Sequence, residues 1–477
     1  MANGMPPAAA ASLAAPADGL PQPQRWHAML VIVLGITVAV LDGTIVNLAL
    51  PGIAHQLNAE PAHAIWVVNA YQIATLVMLL PLASAGDLLG YRRIYLGGMA
   101  LFALASLGAM LANSLATLIA ARALQGLGAA GIMSVNAALV RLIFPSAQLG
   151  RGIAINSMVV ATASVAGPSV AAGILSVASW PWLFALNLPL GVLTLVLGAR
   201  SLPRNRPRPA GGTRFTLFDV LLNILMFSLI FVGVDGLGAR DATGQGAHPQ
   251  AWLLLAAGLV VGVVYMRRQL RLDLPLFPVD LLRIPVFALS MGTSVGAFCA
   301  QMLAYIALPF LLLGSLGRSH LQAGLIITAW PLAIVLVAPL AGRLIGRYPD
   351  GLLGGIGLGL LAAGLALLGA LPPQPADADI VWRMALCGLG FGLFQSPNNH
   401  TIVTTPPPHR SGAASGMLGT ARLTGQTLGA VLVAIIFGIW HPQEPQGPQI
   451  ALALAAAFAA VAAVCSGLRL RAPARKH

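Results

Sequence analysis

Long apolar runs alternate with short polar segments along nearly the whole chain. From Met29 onwards these runs reach about 20 residues, enough for a helix to cross the hydrocarbon core of a bilayer. The Ala- and Pro-rich residues 1–24 precede the first run and are expected to form a disordered cytosolic tail. The pattern predicts fourteen membrane-spanning helices, at residues 28–50, 65–86, 94–112, 115–140, 152–178, 181–199, 216–238, 250–266, 286–313, 323–342, 352–371, 380–403, 413–439 and 449–468.

Composition agrees with an all-α polytopic membrane protein. Hydrophobic residues make up 58% of the chain and charged residues only 8%, whereas soluble domains carry roughly a quarter charged residues. A net charge of +13 would suggest nucleic acid as a partner of a soluble protein. Here most basic residues fall on one side of the predicted spans, and only Arg240 and Arg318 fall on the other. The positive-inside rule therefore predicts cytosolic termini, in a bacterial inner membrane, and no nucleic acid is expected.

A weak internal repeat divides the chain. The segment "LALP" at 48–51 returns as "IALP" at 306–309, an offset of 258. The segment "LGRG" around Arg151 returns as "HRSG" around Arg410, and this offset of 259 aligns Asp42 with Gln301. Such repeats are typical of transporters whose site lies at the interface of two halves, near the membrane midplane. The predicted division is the tail at 1–24, an N-terminal six-helix half at 25–200, an inserted helix pair with basic loops at 201–270, and a C-terminal six-helix half with a short tail at 271–477.

Four motifs occur in order along the first half of the chain. They are "LDGTIVNLALP" (41–51), "GDLLGYRR" (86–93), "RALQGLGAAG" (122–131) and "AGPSVAAG" (166–173). Together they resemble the major facilitator superfamily, and specifically its fourteen-span drug:proton antiporter branch. The resemblance implies a major facilitator fold of two six-helix halves plus two inserted helices, which exports drugs in exchange for protons.

Asp42 and Arg122 are the predicted proton-coupling residues. Asp42 lies about 20 Å along its helix from the cytosolic start, too deep for its side chain to reach the interface. A carboxylate at this depth costs about 2.5–3.5 kcal/mol, so it is expected to face protein or a water-filled cavity, where it could also contact a cationic substrate. Arg122 does not release its proton, and the resemblance implies a role in proton coupling. The alternatives are a protonated Asp42 that serves packing, and an Arg122 that only joins helices.

Two further groups are expected to control conformational change. Asp87, Gly90 and Arg92 lie between spans 2 and 3, where Asp87 and Arg92 are predicted to form a charged latch. Gly167 and Pro168 interrupt the hydrogen bonds of span 5, because proline lacks an N–H group. The resemblance associates this motif with export, and a simple packing kink is the alternative.

Aromatic and polar side chains in the spans are the candidates for a substrate cavity. An aromatic face can hold an organic cation by about 0.5–2 kcal/mol per contact, and the alternative for each residue is a place in the core. The predicted substrate contacts, besides Asp42, are Tyr71, Gln301, Tyr305, Trp330, Phe391 and Phe394. Arg422 and Asp235 receive no role from the sequence.

These observations predict a proton-coupled antiporter that exports amphipathic, cationic drugs, dyes or antiseptics by alternating access, as a monomer in the bilayer. The sequence has no nucleotide-binding loop of the G-x-x-x-x-G-K-[ST] type, so ATP hydrolysis is not expected. Its three cysteines are far apart and indicate neither a disulfide framework nor a metal site, and no cofactor is expected. One alternative is a transporter or facilitator of the same fold for an endogenous metabolite or lysolipid. Another is a membrane-embedded enzyme or sensor, but no catalytic cluster or soluble output domain is evident.

Overall fold

The computed structural model describes residues 19–145, 148–204, 216–236, 249–272, 277–406, 411–440 and 446–470. Most of the predicted tail and the basic loop at 205–215 lie outside these residues. The described chain is a bundle of long helices joined by short connections. The helices are α1 (Gln24–Gln56), α2 (Pro61–Ala64), α3 (Trp66–Leu89), α4 (Tyr91–Met110), α5 (Leu115–Ile143), α6 (Leu149–Leu175), α7 (Pro181–Ala185), α8 (Asn187–Ser201), α9 (Leu217–Gly236), α10 (Pro249–Gln269), α11 (Pro285–Pro309), α12 (His320–Leu344), α13 (Asp350–Gly369), α14 (Asp377–Thr404), α15 (Ser411–Ile439) and α16 (Gln446–Leu468). A π-helical stretch, Phe310–Ser315, continues α11.

The all-helical prediction is confirmed, and each predicted span coincides with a helix to within a few residues. Among the described residues, twelve helical segments are long and apolar enough to cross a membrane. The other two predicted spans correspond to α6 and α14. In α6 only Ala166–Leu175 forms an apolar stretch of described residues, and α14 begins with Asp377 and Asp379. The number fourteen therefore remains a prediction.

Helix packing follows the chain order. In the described residues α1, α3, α4, α5, α6 and α8 pack mainly on one another, and α11 to α16 form a second group. The two groups meet mainly where α6 packs on α12 and where α2 and α3 pack on α15, and α1 also touches α11. The α9–α10 pair packs against itself, and α9 also touches α3 and α15. The exact boundaries of the two halves remain a prediction.

Glycines bring two helix pairs unusually close. A Cβ atom on Gly126 in α5 would lie 2.4 Å from the backbone oxygen of Tyr71 in α3. In the second group, a Cβ on Gly388 in α14 would lie 2.1 Å from the backbone oxygen of Trp330 in α12. Small residues permit such close approach between helices in a membrane. Each glycine therefore sets the position of one candidate aromatic residue relative to the neighbouring helix.

Candidate functional site

Asp42 is completely buried, and its carboxylate is surrounded by hydrogen-bond donors. Arg122 Nη1 donates to Oδ2 at 2.5 Å. Gln125 Nε2 donates to Oδ1 at 2.9 Å, and Asn187 Nδ2 donates to the same oxygen at 2.6 Å. The ionised carboxylate thus has an ion pair on one oxygen and two amide hydrogen bonds on the other, which offsets part of the cost of burying its charge.

Arg122 is also held by groups other than Asp42. Its Nε donates to the backbone oxygen of Val67 at 2.9 Å, and Nη1 donates to Gln125 Oε1 at 2.6 Å. The guanidinium carbon lies 4.2 Å from the ring centre of Tyr71, a favourable cation–π distance. These contacts hold the guanidinium between α1, α3 and α5.

Asp42 points away from the interface between the two helix groups. Thr44, Asn47 and Leu48 of the same helix line a small void there, together with Tyr305 of α11. At about 100° per residue, Asp42 lies about 200° from Thr44 and about 140° from Asn47 around the helix axis. The carboxylate therefore projects into the N-terminal group, and in this conformation it has no face open to a ligand. Its predicted contact with substrate stays a prediction.

The predicted aromatic residues form two contacts near the interface. The rings of Tyr305 and Trp330 lie 5.2 Å apart, edge to face, and the side chain of Gln301 lies near the Tyr305 hydroxyl. Phe391 and Phe394 are 5.7 Å apart and almost completely buried, as is Trp330. Among these five, only Tyr305 lines the void between the groups. The structure brings them into one region, and their roles in substrate binding stay predictions.

The predicted latch between spans 2 and 3 is a tight helix–helix turn. Gly90 joins α3 directly to α4 with φ of 102°, a conformation that favours glycine. Arg92 donates to the backbone oxygen of Leu202 at 3.3 Å and also to that of Ala199, so it joins the start of α4 to the end of α8. The side chain of Asp87 lies outside the described residues. Control of gating by this segment stays a prediction.

The glycine–proline pair of α6 lies where α6 meets its neighbours. A Cβ on Gly167 would lie 2.0 Å from Thr44 Oγ1 in α1. Pro168 lines the void between the groups, and the next residue, Ser169, is hydrogen-bonded to Thr328 of α12 at 2.8 Å. This part of α6 therefore contacts both helix groups.

Several polar residues of the site were not singled out from the sequence. Asn187 contacts Asp42, and Ser106 accepts a hydrogen bond from Gln125 at 2.8 Å. Asn69 and Gln72 of α3 are buried and carry polar atoms without a hydrogen-bond partner among the described residues. The available signal was a lone amide in an apolar run, as in "WPWLFALNLPLG" and "WVVNAYQIATL". This signal marks a buried polar residue, but it does not identify the partner.

Two charged residues, Arg422 and Asp235, have no predicted role, and the structure describes the side chain of only the first. Arg422 lies in the middle of α15, partly exposed, with its guanidinium carbon 5.9 Å from the ring centre of Phe298. Its Nε has no hydrogen-bond partner among the described residues. The side chain of Asp235 lies outside the described residues. A search of the described side chains found no group of three or more His, Cys, Asp or Glu residues placed to hold a metal ion.

A bundle of long apolar helices in two packed groups, with a buried ion pair in one of them, defines an integral membrane transport protein. The sequence matches the Major Facilitator Superfamily over residues 32–420 and again over 291–477. The chain belongs to this superfamily and is a transporter.

Three relatives illustrate the range of names in the family. The uncharacterized transporter YebQ of Escherichia coli (strain K12) is 54% identical over 461 residues, which cover 96% of this chain and 98% of YebQ. The riboflavin transporter RibZ of Clostridioides difficile (strain 630) is 28% identical, over 87% of this chain and 88% of RibZ. The multidrug resistance protein Stp of Mycobacterium tuberculosis (strain CDC 1551 / Oshkosh) is 30% identical, over 85% of this chain and 75% of Stp.

Proposed function

We propose that this transporter is a proton-coupled antiporter that exports amphipathic organic compounds by alternating access. Asp42 and Arg122 form its proton-coupling centre. The observation that carries the proposal is the buried ion pair with a 2.5 Å contact in the middle of the N-terminal group. Drugs as substrates are supported by the similarity to the multidrug resistance protein Stp. Export is supported by the motif around Gly167 and Pro168, which the family resemblance associates with exporters.

Protonation of Asp42 conflicts with the contacts that surround it. Both carboxylate oxygens accept hydrogen bonds from N–H donors, and a carboxyl O–H would point a donor at one of these donors. A proton on Oδ2 would face Arg122, which has no acceptor atom. The protonated state therefore requires Arg122 or a neighbouring amide to move. In this proposal that movement links proton binding to conformational change.

Asn187 is suited to respond to this proton. It donates to Asp42 through Nδ2, while its own Oδ1 is buried without a hydrogen-bond partner among the described residues. Rotation of the amide by half a turn would direct this oxygen towards Asp42, where it could accept the new O–H. A proton on Oδ1 would then be satisfied at the expense of the original N–H contact. Asn187 is therefore a proposed positioning residue.

A movement of Arg122 would act on α3. Tyr71 packs on the guanidinium, and its hydroxyl donates to the backbone oxygen of Ala39 in α1 at 3.0 Å. One turn further along α3, Thr75 Oγ1 donates to the backbone oxygen of Gly126 in α5 at 3.1 Å. These contacts join three helices around the ion pair. Because α3 also packs on α15 of the other group, a change at Arg122 is transmitted to the interface between the groups.

The proposal includes fourteen spans, with α6 and α14 as the fifth and twelfth. They contain 27 and 28 residues, about 40 Å at 1.5 Å per residue, enough to cross a bilayer. Both are packed against other helices, α6 against α1 and α12, and α14 against α12 and α13. Polar positions on them can therefore face protein. Residues 25–200 and 271–477 are the proposed halves, with both termini in the cytosol.

The proposal is tested in vesicles that contain the purified protein, with a pH gradient imposed across the membrane. The probes are ethidium, riboflavin and fluorescein, which differ in charge. Asp42→Asn is expected to abolish gradient-driven accumulation while downhill exchange of the same probe continues. Asp219→Asn is the matched control, because Asp219 is also a buried carboxylate, paired with Arg268 at 2.7 Å in the α9–α10 pair. Accumulation by Asp42→Asn at the wild-type level would refute the proposal.

Transport of a metabolite is a second candidate, favoured by the similarity to RibZ. Under this alternative riboflavin would exchange across the membrane whether or not a pH gradient is present, and Asp42→Asn would leave its rate unchanged. Gradient-dependent accumulation of the dyes without riboflavin transport would exclude it.

A further inference from the structure

Arg422 is a cation in the middle of the bundle without a counter-ion in the described part of the chain. The ion pairs found there use the carboxylates Asp42 and Asp219 within the spans, and neither pairs with Arg422. Its Nε lacks a hydrogen-bond partner among the residues that the structure describes, while the side chain as a whole is only partly buried. An unpaired charge inside a membrane protein is costly and usually faces a cavity or marks a ligand pathway.

The position of Arg422 is at the interface between the two helix groups. The next residue, Leu423, belongs to the same apolar cluster as Leu76 of α3. The phenol of Tyr71, also in α3, is close enough for the charge of Arg422 to act on it. On the other side, the guanidinium lies beside the ring of Phe298 in α11. Arg422 is therefore surrounded by α3, α11 and its own helix, where the groups separate in alternating access.

Unpaired amides share this interface. At about 100° per residue, Asn69 and Gln72 lie about 60° apart on α3, and Leu76 lies about 40° from Gln72. All three therefore occupy the face of α3 that packs towards Leu423. Both polar atoms of Asn69 and Oε1 of Gln72 lack a hydrogen-bond partner among the described residues, although both side chains are almost completely buried.

We propose that Arg422 binds an oxyanion of the substrate, so that the transported compound is an amphipathic organic anion such as an aromatic carboxylate or sulfonate. Arginine offers paired N–H donors that match such groups, and Nδ2 of Asn69, which has no hydrogen-bond partner among the described residues, can add to them. The ring of Phe298 provides apolar surface for the body of the ligand. This proposal rests on the proposed function only in taking the interface as the substrate site.

The charge balance of this region favours an anion over the cation expected from the sequence. That expectation depended on a carboxylate free to bind a cation. Arg122 occupies that carboxylate and directs it away from the interface. Within the described spans near the interface, Asp42 and Arg122 cancel, and the charge of Arg422 remains.

The test compares ligands that share one ring system and differ in charge. Naphthalene-2-sulfonate and 2-naphthoate are the anionic probes, and (2-naphthylmethyl)trimethylammonium is the cationic probe. Binding to purified wild type, Arg422→Gln, Arg422→Lys and Arg343→Gln is measured by thermal stabilisation at fixed pH. Arg343 is an exposed arginine at the end of α12 and serves as the control.

The expected result is stabilisation of wild type by the anions and not by the cation. Arg422→Gln should weaken anion binding by about tenfold or more, Arg422→Lys should retain part of it, and Arg343→Gln should match wild type. Without ligand, Arg422→Gln should be at least as heat-stable as wild type, because it removes an unpaired charge. Stabilisation by the cation, equal anion binding by Arg422→Gln, no binding of either anion, or a less stable ligand-free Arg422→Gln would each overturn the proposal.

These binding measurements do not require coupled transport. They are made at equilibrium without a gradient, so failure of Asp42→Asn to uncouple transport leaves them unaffected. Conversely, loss of anion binding would leave the proposed role of Asp42 and Arg122 intact.

Discussion

Asp42 and Arg122 should behave as one energetic unit, and a double-mutant cycle measures this. The variants are Asp42→Asn, Arg122→Met and the combination of both. Arg122→Met keeps an unbranched, apolar side chain but removes the guanidinium, and it leaves a fully buried carboxylate without its ion pair. Breaking a buried pair in this way costs about 3–5 kcal/mol, so Arg122→Met should be the more destabilising single change.

The remaining contacts of each side chain determine how much stability Asp42→Asn and the double variant should lose. In Asp42→Asn the guanidinium keeps Val67, Gln125 and the Tyr71 ring, so its charge is less exposed to an apolar environment than the stranded carboxylate. The loss is a charge-assisted hydrogen bond, about 1.5–3 kcal/mol. In the double variant neither charge remains, and its cost should fall short of the sum of the singles by about 2–3 kcal/mol.

The assay is reversible unfolding in mixed micelles, with the free energy of unfolding taken from tryptophan fluorescence. A second cycle on Asp219 and Arg268 is the control. Arg268 is 38% exposed in its ion pair, so solvent screens that pair and its coupling should be smaller. If the Asp42–Arg122 cycle were additive to within about 0.5 kcal/mol, the two side chains would not act as a unit, and the argument for a coupling centre would fail.

Two further substitutions test the surroundings of the pair. Gly126→Ala should destabilise the protein by about 1–3 kcal/mol, because its Cβ would meet the backbone of Tyr71 at 2.4 Å. Gly173→Ala is the control. A Cβ there would have no atom within 4 Å, so this variant should be neutral or slightly stabilising in the same unfolding assay. Asn187→Ala should shift the pH at which gradient-driven transport is half-maximal, because it removes the proposed acceptor for the Asp42 proton. Asn223→Ala, which removes the bond from α9 to the backbone of α3, should leave that pH unchanged, and an equal shift in both variants would contradict the role of Asn187.

The sequence was sufficient for the helices because lipid imposes a length and an apolar character that are visible in single runs of residues. It was also sufficient to infer that Asp42 lies too deep to reach the interface of the membrane. It could not show which way Asp42 points, since that depends on how α1 packs. Nor could it show which side chains contact Asp42 in this conformation, namely Arg122, 80 positions away, and Asn187, 145 positions away. Contact between Asp42 and substrate stays a prediction.

The electrostatic environment of Arg422 is a feature that the sequence could not predict. A lone arginine in an apolar run signals that some partner is needed, and the sequence offers several carboxylates that could supply one. Only the packing shows that the described carboxylates of the spans are already paired elsewhere. Whether Arg422 has a counter-ion among the described residues is a property of the assembled bundle, so no local pattern could have predicted the charge of the interface.

The separation of the proton site from Arg422 constrains how exchange can occur. By charge alone, a proton on Asp42 and an anion at Arg422 would favour each other's binding, because the proton leaves Arg122 uncompensated. Linkage is reciprocal, so such a protein would move the two together. In an antiporter, proton binding must instead weaken anion binding, and this effect must come from packing. When Arg122 leaves Asp42, Tyr71 and α3 shift, and the anion site between α3, α11 and α15 is lost. The change of anion affinity with pH therefore distinguishes antiport from co-transport. If the anion binds more weakly at lower pH, and if Asp42→Asn removes this pH dependence, the protein exchanges anion for proton through packing. If the anion binds more strongly at lower pH, the protein is a co-transporter.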